Sequence, residues 1–367
     1  MKIGVDGREL VGQPTGIGRY VASLCTEWAS MPAAKNHAFV VYSDSPITSL
    51  PTNVNGLAGG AGISFTVIPG AGDTWWEQTL LADSANDDHL DVFFGPAYSL
   101  PIRLRLPGVV TLHDISFATH PEWFGWREGI RRRWQARQSA LAAETVITVS
   151  EFSRREIVEH YDVAPSRVRV IHNGINSATA AAVAENRDQM ILYVGALFNR
   201  RNLPTLIAAF AHVVHRLPDA ELVIVGPDRT HPKQDLQSLA AVEGVAAKVK
   251  FHPYVNDREL NALYRRAGIF AFLSEYEGFG MTPLEALAAG VPAVVGDTEV
   301  GREIYGDAAC HISLDNTHTV AQRLIDLLTN QTERAAFLDR ASVRLKRFHW
   351  SHTAASTLAV LEEAAKR

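Results

Sequence analysis

Short apolar runs recur along the chain, separated by longer stretches whose apolar residues return at three- and four-residue spacing. The runs predict strands at Lys2–Asp6, Ala38–Tyr42, Ile63–Ile68, Asp91–Phe94, Val109–Leu112, Thr145–Val149 and Val168–Ile171. The wider spacing predicts helices between several of them, such as Gly16–Trp28 and Arg127–Leu141. Strands that alternate with helices require crossover connections, so the sheet they form is parallel and covered on both faces.

The alternation pauses at Ser177–Gln189, a small and polar stretch with neither a strand nor an amphipathic face, which reads as a linker. It resumes at Met190–Gly195, Glu221–Gly226, Val249–His252, Ile269–Leu273 and Ala293–Gly296, with helical patterns between. The expected organisation is an α/β chain of two Rossmann-like, doubly wound domains facing across a cleft. An N-terminal acceptor-side domain takes 1–176, the linker 177–189, and a C-terminal domain 190–348. A final helix, 349–367, caps the second domain or crosses back to the first. Ligands of such sheets bind beyond the carboxyl ends of the strands, so the loops after those strands are the place to look.

Composition changes this picture little. The 367 residues suggest two domains, and a net charge of −5 argues against nucleic acid as a partner. Cys25 and Cys310 stand far apart, which excludes a disulfide framework or zinc spacing and points to a reducing cytosol. No apolar run has the length of a signal peptide or a membrane span, so a cytoplasmic chain is expected.

The chemistry concentrates in Ser274–Pro292, SEYEGFGMTPLEALAAGVP, which follows an apolar strand. Thr282-Pro283-Leu284-Glu285 has the form of a capping box with proline at the first helical position. Gly290 followed by Pro292 ends the helix, predicted at Pro283–Ala289. A helix N-terminus offers unpaired amides and a positive dipole end, which suits a diphosphate. Gly278 and Gly280 let backbone approach a ligand. Glu277 and Glu285 flank the turn, and carboxylates are good partners for the vicinal hydroxyls of sugars and riboses. The competing structural reading makes Glu285 half of the capping box and Glu277 an exposed loop acid; a lone Thr-x-x-Glu would favour it. Here the acid-Gly-aromatic-Gly turn, the cap and the second acid coincide at one strand end, which favours a ligand site.

The stretch resembles the Glu-x7-Glu signature of the retaining glycosyltransferases of family 4, which have the GT-B fold; Glu277 and Glu285 match its two acids. The resemblance implies that Glu277 contacts the donor sugar and that Glu285 binds the nucleotide ribose. It implies that Phe279, Gly280 and Met281 hold sugar and phosphate oxygens through their amides, with the Thr282 hydroxyl in reach of a phosphate. Ile191–Leu206 is similar to the family's first strand and loop of the donor domain, whose basic pair meets the diphosphate and matches Arg200 and Arg201. Position 201 is commonly lysine in the family; arginine adds a bidentate fork. In the N-terminal half, TGIGRY, with Gly16 and Gly18, resembles the glycine turn near the donor phosphates, and VTLHDI resembles the strand end whose histidine, here His113, lies near the reacting carbon in relatives. ITVSEFSR and VIHNG also match, with His172 where proline is usual.

The implied enzyme transfers a hexosyl group, with mannose-type donors such as GDP-mannose favoured over UDP-hexoses. It moves the group with retention from a nucleoside diphosphate sugar to a hydroxyl of a saccharide or lipid-linked saccharide, in polysaccharide biosynthesis. Glu277, His113 and Arg201 are its expected catalytic residues. Gly16, Gly18, Arg200, Arg201, Phe279, Gly280, Met281, Thr282 and Glu285 are its expected donor contacts. A cationic, amide-rich cradle stabilises the leaving diphosphate, so no metal and no cofactor beyond the nucleotide sugar is expected. The stretch Pro121–Leu141 mixes Trp123, Phe124, Trp126 and Trp134 with five arginines. It fits peripheral contact with an anionic membrane at the inner face of the plasma membrane, or a surface helix whose tryptophans pack inward. Trp75 and Trp76 are further candidates for the acceptor side. A nicotinamide oxidoreductase is disfavoured: Gly16-Ile17-Gly18-Arg19-Tyr20-Val21 lacks the third glycine and stands about ten residues past its strand. A sugar-nucleotide epimerase or a phosphorylase on the same scaffold, or a non-catalytic sugar-nucleotide binder, are the nearer alternatives.

Overall fold

The computed structural model describes residues 1–12, 16–47, 62–175 and 187–367. They form two compact units. The first holds Met1–Ala118, Arg127–Gly174 and Phe348–Arg367; the second holds Thr119–Trp126 and Ile175–Arg347. Residues 177–186 of the expected linker lie outside the described residues. Arg187 at its end donates to the carbonyls of Tyr264 (2.7 Å), Ala267 (3.0 Å) and Ala289 (3.1 Å), which fixes the chain as it enters the second sheet.

In the first unit, β1 (Lys2–Asp6), β2 (Ala38–Ser43), β3 (Gly62–Val67), β4 (Val92–Gly95), β5 (Gly108–Leu112), β6 (Thr145–Thr148) and β7 (Val168–Val170) pair in the order β3-β2-β1-β4-β5-β6-β7. Every pairing is parallel. The second unit repeats the plan with β8 (Met190–Val194), β9 (Glu221–Val225), β10 (Val249–His252), β11 (Ile269–Phe272), β12 (Ala293–Gly296) and β13 (Cys310–Ile312). Its order is β10-β9-β8-β11-β12-β13, again parallel. Central strands such as Met190-Ile191-Leu192-Tyr193 are buried at successive positions, as a sheet covered on both faces requires. Both units are therefore Rossmann-like, with a reversal of strand order between β1 and β4 in one and between β8 and β11 in the other. The strand β13 was not expected: three residues between a glycine-containing turn and a polar loop are too short to show a period.

The C-terminal helix Trp350–Ala364 belongs to the first unit, where it packs on the helix Gly16–Ser30 and on β4, β5 and β6. Its buried face (Ala354, Leu358, Leu361) supplies the apolar contact. The fully buried Trp28 indole donates to the Ala354 carbonyl at 3.0 Å, and the Thr353 hydroxyl donates to the His172 carbonyl at 2.8 Å. Gly174, which ends the VIHNG stretch, lets this helix start where it does. A Cβ there would stand 2.3 Å from the Trp350 nitrogen and 2.6 Å from its Cα, closer than any side chain is tolerated.

Two tryptophans offered as acceptor-side candidates divide. Trp76 is fully buried, its indole donating to the Ile68 carbonyl at 2.8 Å, so it is a core residue; Trp75 beside it is 63% exposed.

The Gly174 contact generates a prediction about stability. Gly174→Ala should lower the free energy of unfolding by about 1–3 kcal/mol, the usual cost of overpacking, read as a reduced denaturant midpoint. Gly125→Ala, where a Cβ meets nothing within 4 Å, should change it by less than about 0.5 kcal/mol. Equal midpoints for the two variants would remove Gly174 as the seat of the helix.

Candidate active site

The strands β8 and β11 are neighbours at the reversal of the second sheet, and the loops that leave their carboxyl ends carry the charges. The first loop runs from Gly195 through a short turn of helix at Asn199–Arg201; the second runs from Leu273 to Gly280. Backbone joins them. The Glu275 amide donates to the Arg200 carbonyl at 2.9 Å, and the Asn202 side chain donates to the Leu273 carbonyl at 3.1 Å. Asn202 takes a left-handed conformation (φ 51°) that asparagine tolerates better than most residues.

Glu277 lies between two guanidinium groups. Arg201 Nε donates to Glu277 Oε1 at 2.9 Å and the Ser274 hydroxyl donates to the same oxygen at 2.9 Å, while Arg200 Nε stands 4.0 Å away. Arg201 also donates to the Ala196 carbonyl (2.7 Å) and to the Tyr193 hydroxyl (3.3 Å). Side-chain exposure is 13% for both Glu277 and Arg201. Burial by itself would raise the Glu277 pKa, but the charges of Arg201 and Arg200 outweigh it and hold the carboxyl below its usual range. Arg201 shows the complement: burial opposes its charge, and Glu277 more than restores it. Gly195 is required here, since a Cβ at this position would lie 2.4 Å from Arg201 Nη1.

Arg200 is oriented differently. Its Nε donates to the Tyr276 carbonyl at 3.1 Å, and its guanidinium lies over the rings of Phe198 (4.5 Å) and Trp123 (5.9 Å). Among the described residues, neither terminal nitrogen of Arg200 has a hydrogen-bond partner. A buried, oriented guanidinium whose two terminal nitrogens keep their N–H donors is suited to an anion.

The glycine turn opens the helix Met281–Ala288 two residues earlier than the capping-box reading requires, and that reading is corrected. The N-cap is Gly280, left-handed at φ 79°, and no side chain caps the helix. Thr282 and Pro283 fall inside the first turn, where proline's missing N–H costs nothing. Glu285 lies within the helix, half-buried, and is not a cap partner. Gly280 also makes room for the Tyr305 hydroxyl, which donates to the Gly280 carbonyl at 2.9 Å; a Cβ would stand 2.0 Å from that oxygen. Phe279 is buried, whereas Met281 and Thr282 are half-buried. A small pocket beside Glu277 is lined by Phe272, Ser274, Gly296, Thr298, Gly301 and Tyr305.

The structure thus brings together Arg200, Arg201, Glu277 and the Phe279–Glu285 segment. Gly16, Gly18 and His113 belong to the first unit. Gly16 begins the helix Gly16–Ser30, its preceding residue Thr15 lying outside the described residues, and Gly18 is buried within that helix. His113 follows β5, with its Nε2 2.9 Å from the Pro96 carbonyl and its ring edge-on to Tyr20 (5.0 Å) and Tyr98 (5.6 Å). Burial lowers its pKa below the ordinary histidine value, against the smaller opposing effects of the Pro96 carbonyl and Asp114.

Sequence reading passed over Ser274, Tyr193, Tyr305 and Trp123. Ser274 was accessible to it, three residues before Glu277 at the head of the same motif. Tyr193 and Tyr305 carried no signal, because they reach the site from a strand interior and from a later helix. Trp123 stands in the stretch read either as a membrane contact or as a surface helix with inward tryptophans; it packs within the second unit against Tyr276 (5.8 Å) and His120 (4.1 Å).

Comparison with known proteins identifies the family and the fold. Residues 176–344 match the family described as Glycosyl transferases group 1, and residues 14–179 match Glycosyltransferase Family 4. The O-antigen chain mannosyltransferase B of Escherichia coli is 26% identical over 279 residues, covering 73% of each chain. The GDP-mannose:cellobiosyl-diphosphopolyprenol alpha-mannosyltransferase of Xanthomonas oryzae is 31% identical over 221 residues, covering 59% of this chain and 56% of its own. Among solved structures, Anabaena HepE in complex with UDP and glucose superposes with a TM-score of 0.74 at 17% identity, covering 98% of this chain and 99% of its own. The chain belongs to the family 4 glycosyltransferases and has their GT-B fold.

Proposed function

We propose that this glycosyltransferase moves a mannose-type hexosyl group, with retention, from a nucleoside diphosphate sugar to a hydroxyl of a saccharide or lipid-linked saccharide. The observation that carries the proposal is the Arg200–Arg201–Glu277 cluster beside an uncapped helix N-terminus. Two guanidinium groups against one carboxylate leave a net positive site, and the helix end adds amides and a favourable dipole. Such a site stabilises a leaving diphosphate as the glycosidic bond breaks, in surroundings where each interaction is stronger than in water. In this reading Arg200 presents its terminal nitrogens to the diphosphate. Arg201 divides its fork between Glu277 and phosphate, and Glu277 faces the donor sugar, where its negative charge offsets the oxocarbenium character of the reacting carbon. Glu285 takes the ribose hydroxyls, and the amides of Phe279, Gly280 and Met281 with the Thr282 hydroxyl take sugar and phosphate oxygens. Gly16, Gly18 and His113 contribute from the first unit, His113 as a neutral imidazole. No metal or cofactor enters this scheme. The relatives named as mannosyltransferases, one of them for GDP-mannose, support the choice of donor; the Anabaena structure with UDP keeps UDP-hexoses as the second reading.

A lipid-linked acceptor is supported by the helix Trp126–Ala142. It leaves Trp126, Ile130 and Trp134 exposed by 71%, 53% and 54%, at four-residue intervals on one face. Arg127 and Arg131 flank this stripe on one side, Arg133 and Arg137 on the other. These two tryptophans do not pack inward, and aromatic residues between arginines fit the interface of an anionic bilayer. Among the described residues, no helix is long and apolar enough to cross a membrane.

Incubating the protein with GDP-mannose, UDP-glucose and UDP-galactose in excess EDTA should give nucleoside diphosphate release fastest from GDP-mannose. Proton NMR of an acceptor-bound product should show the donor's anomeric configuration. Release that requires added manganese or magnesium, or an inverted product, would overturn the respective part of the proposal.

Arg201→Lys should keep the transfer rate within about tenfold. Arg201→Met should lower kcat on the order of 10²–10³, more than it raises the donor KM. A normal kcat in the methionine variant would remove Arg201 from the chemistry.

The double variant Trp126→Ser/Trp134→Ser should bind vesicles containing phosphatidylglycerol at least about tenfold more weakly, with donor hydrolysis in solution unchanged. Equal vesicle binding would count against this face as the membrane contact.

A further inference from the structure

The segment Thr119–Trp126 lies, in sequence, between two stretches of the first unit, yet it packs within the second. There it builds an aromatic block. Trp123 stacks on His120 with ring centroids 4.1 Å apart and an interplanar angle of 14°. Tyr276 meets both edge-on, at 5.8 Å from Trp123 and 5.1 Å from His120. Tyr276 precedes Glu277 directly, and its carbonyl accepts from Arg200 Nε. The Arg200 guanidinium lies over the rings of Phe198 (4.5 Å) and Trp123 (5.9 Å). Arg200 is 7% exposed, so these contacts leave it little room for other rotamers.

We infer that Trp123 is a positioning residue, which acts through Arg200 and rests on the donor-site reading above. The Tyr276 carbonyl fixes one edge of the guanidinium and the two rings fix its plane, which leaves the terminal nitrogens aimed at the ligand. Arginine pays for its reach with rotamer freedom, and a plane held in advance loses less on binding. The Trp123 ring is half-buried, with His120, Tyr276 and Arg200 against it. It thereby supports a phosphate-binding side chain, Arg200.

The test is the preference for a diphosphate over a monophosphate, measured by calorimetry on the full chain with GDP and GMP, and with UDP and UMP. Wild type should bind the diphosphate of its own nucleoside more tightly than the monophosphate. Trp123→Ala should reduce that ratio about three- to thirtyfold, the range of one desolvated cation–π contact, with monophosphate affinity unchanged. Trp123→Phe, which keeps a ring over Arg200, should restore most of the ratio. Trp123→Leu, which keeps apolar bulk without a ring, carries the same expectation as alanine and serves if the alanine variant fails to fold. A ratio that stays at the wild-type value in Trp123→Ala and Trp123→Leu overturns the inference. So does a parallel loss of monophosphate and diphosphate affinity. Arg200→Met separates the two levels: if it collapses the ratio while the Trp123 variants do not, only the positioning role fails. If wild type shows no diphosphate preference, or Arg200→Met leaves it intact, the donor-site reading fails and this inference with it.

Discussion

The ion pair between Arg201 and Glu277, with Arg200 4.0 Å behind it, constrains the rest of the second unit. Placing a carboxylate where it is 13% exposed is unfavourable unless opposite charge and hydrogen bonds meet it. Here both are present, from Arg201 and from Ser274. Buried ion pairs rarely add stability over an apolar replacement of the same shape, so stability alone does not account for this one. Its geometry explains several otherwise unrelated residues. Gly195 is side-chain-free because Arg201 fills that space. Asn202 is left-handed where the basic loop must turn into the helix Leu203–Arg216. The two loops are laced together by backbone, so the charges they carry keep a fixed separation.

The position of this cluster follows from topology. Parallel strands aim all their carboxyl ends one way, and a reversal of strand order parts the neighbouring loops so that a crevice opens between them. The chain places its basic pair after β8 and its acid after β11, the two strands at that reversal. For this reason much of the fold, and the place of the candidate site in it, was legible in the residues. Strands of near-continuous apolar character, such as those at Met190 and Ile269, need no tertiary information to be recognised. The Glu277–Glu285 stretch is local, and its strand-turn-helix setting can be read from its own glycines.

What was not legible depended on distance or on one backbone angle. A Thr-x-x-Glu sequence satisfies the capping-box pattern wherever it stands. Only the conformation of Gly280 decides that the helix begins at Met281, which leaves its first amides without a side-chain cap. The amphipathic pattern of a segment shows that it must cover some core, but not which one. Thr119–Trp126 therefore could not be assigned to the second unit from its own residues, nor could Trp350–Ala364 be assigned to the first. In the latter case the deciding feature is a space that only Gly174 leaves open to Trp350. Trp75 and Trp76 make the same point at the scale of one residue. Adjacent positions on a helix point about 100° apart, so one ring is core and the other is surface.

The helix Trp126–Ala142 shows how far a single element can be read once its buried side is known. Gly129, Gln135, Ala136, Ser139 and Ala140 face inward, where Gln135 donates to Glu77 at 2.6 Å and the Ser139 hydroxyl accepts from the Leu100 amide at 2.9 Å. That choice commits the bulky residues to the opposite side. Trp126, Ile130 and Trp134 are exposed because the inner face has no volume for them, while the intervening arginines prevent the stripe from becoming a continuous apolar patch. On a chain of net charge −5, a local concentration of guanidinium groups is also a departure from the average surface. An apolar stripe alone would invite self-association, and a basic face alone would attract any polyanion. Aromatic rings set between arginines ask for both at once, as the anionic bilayer proposed above would supply.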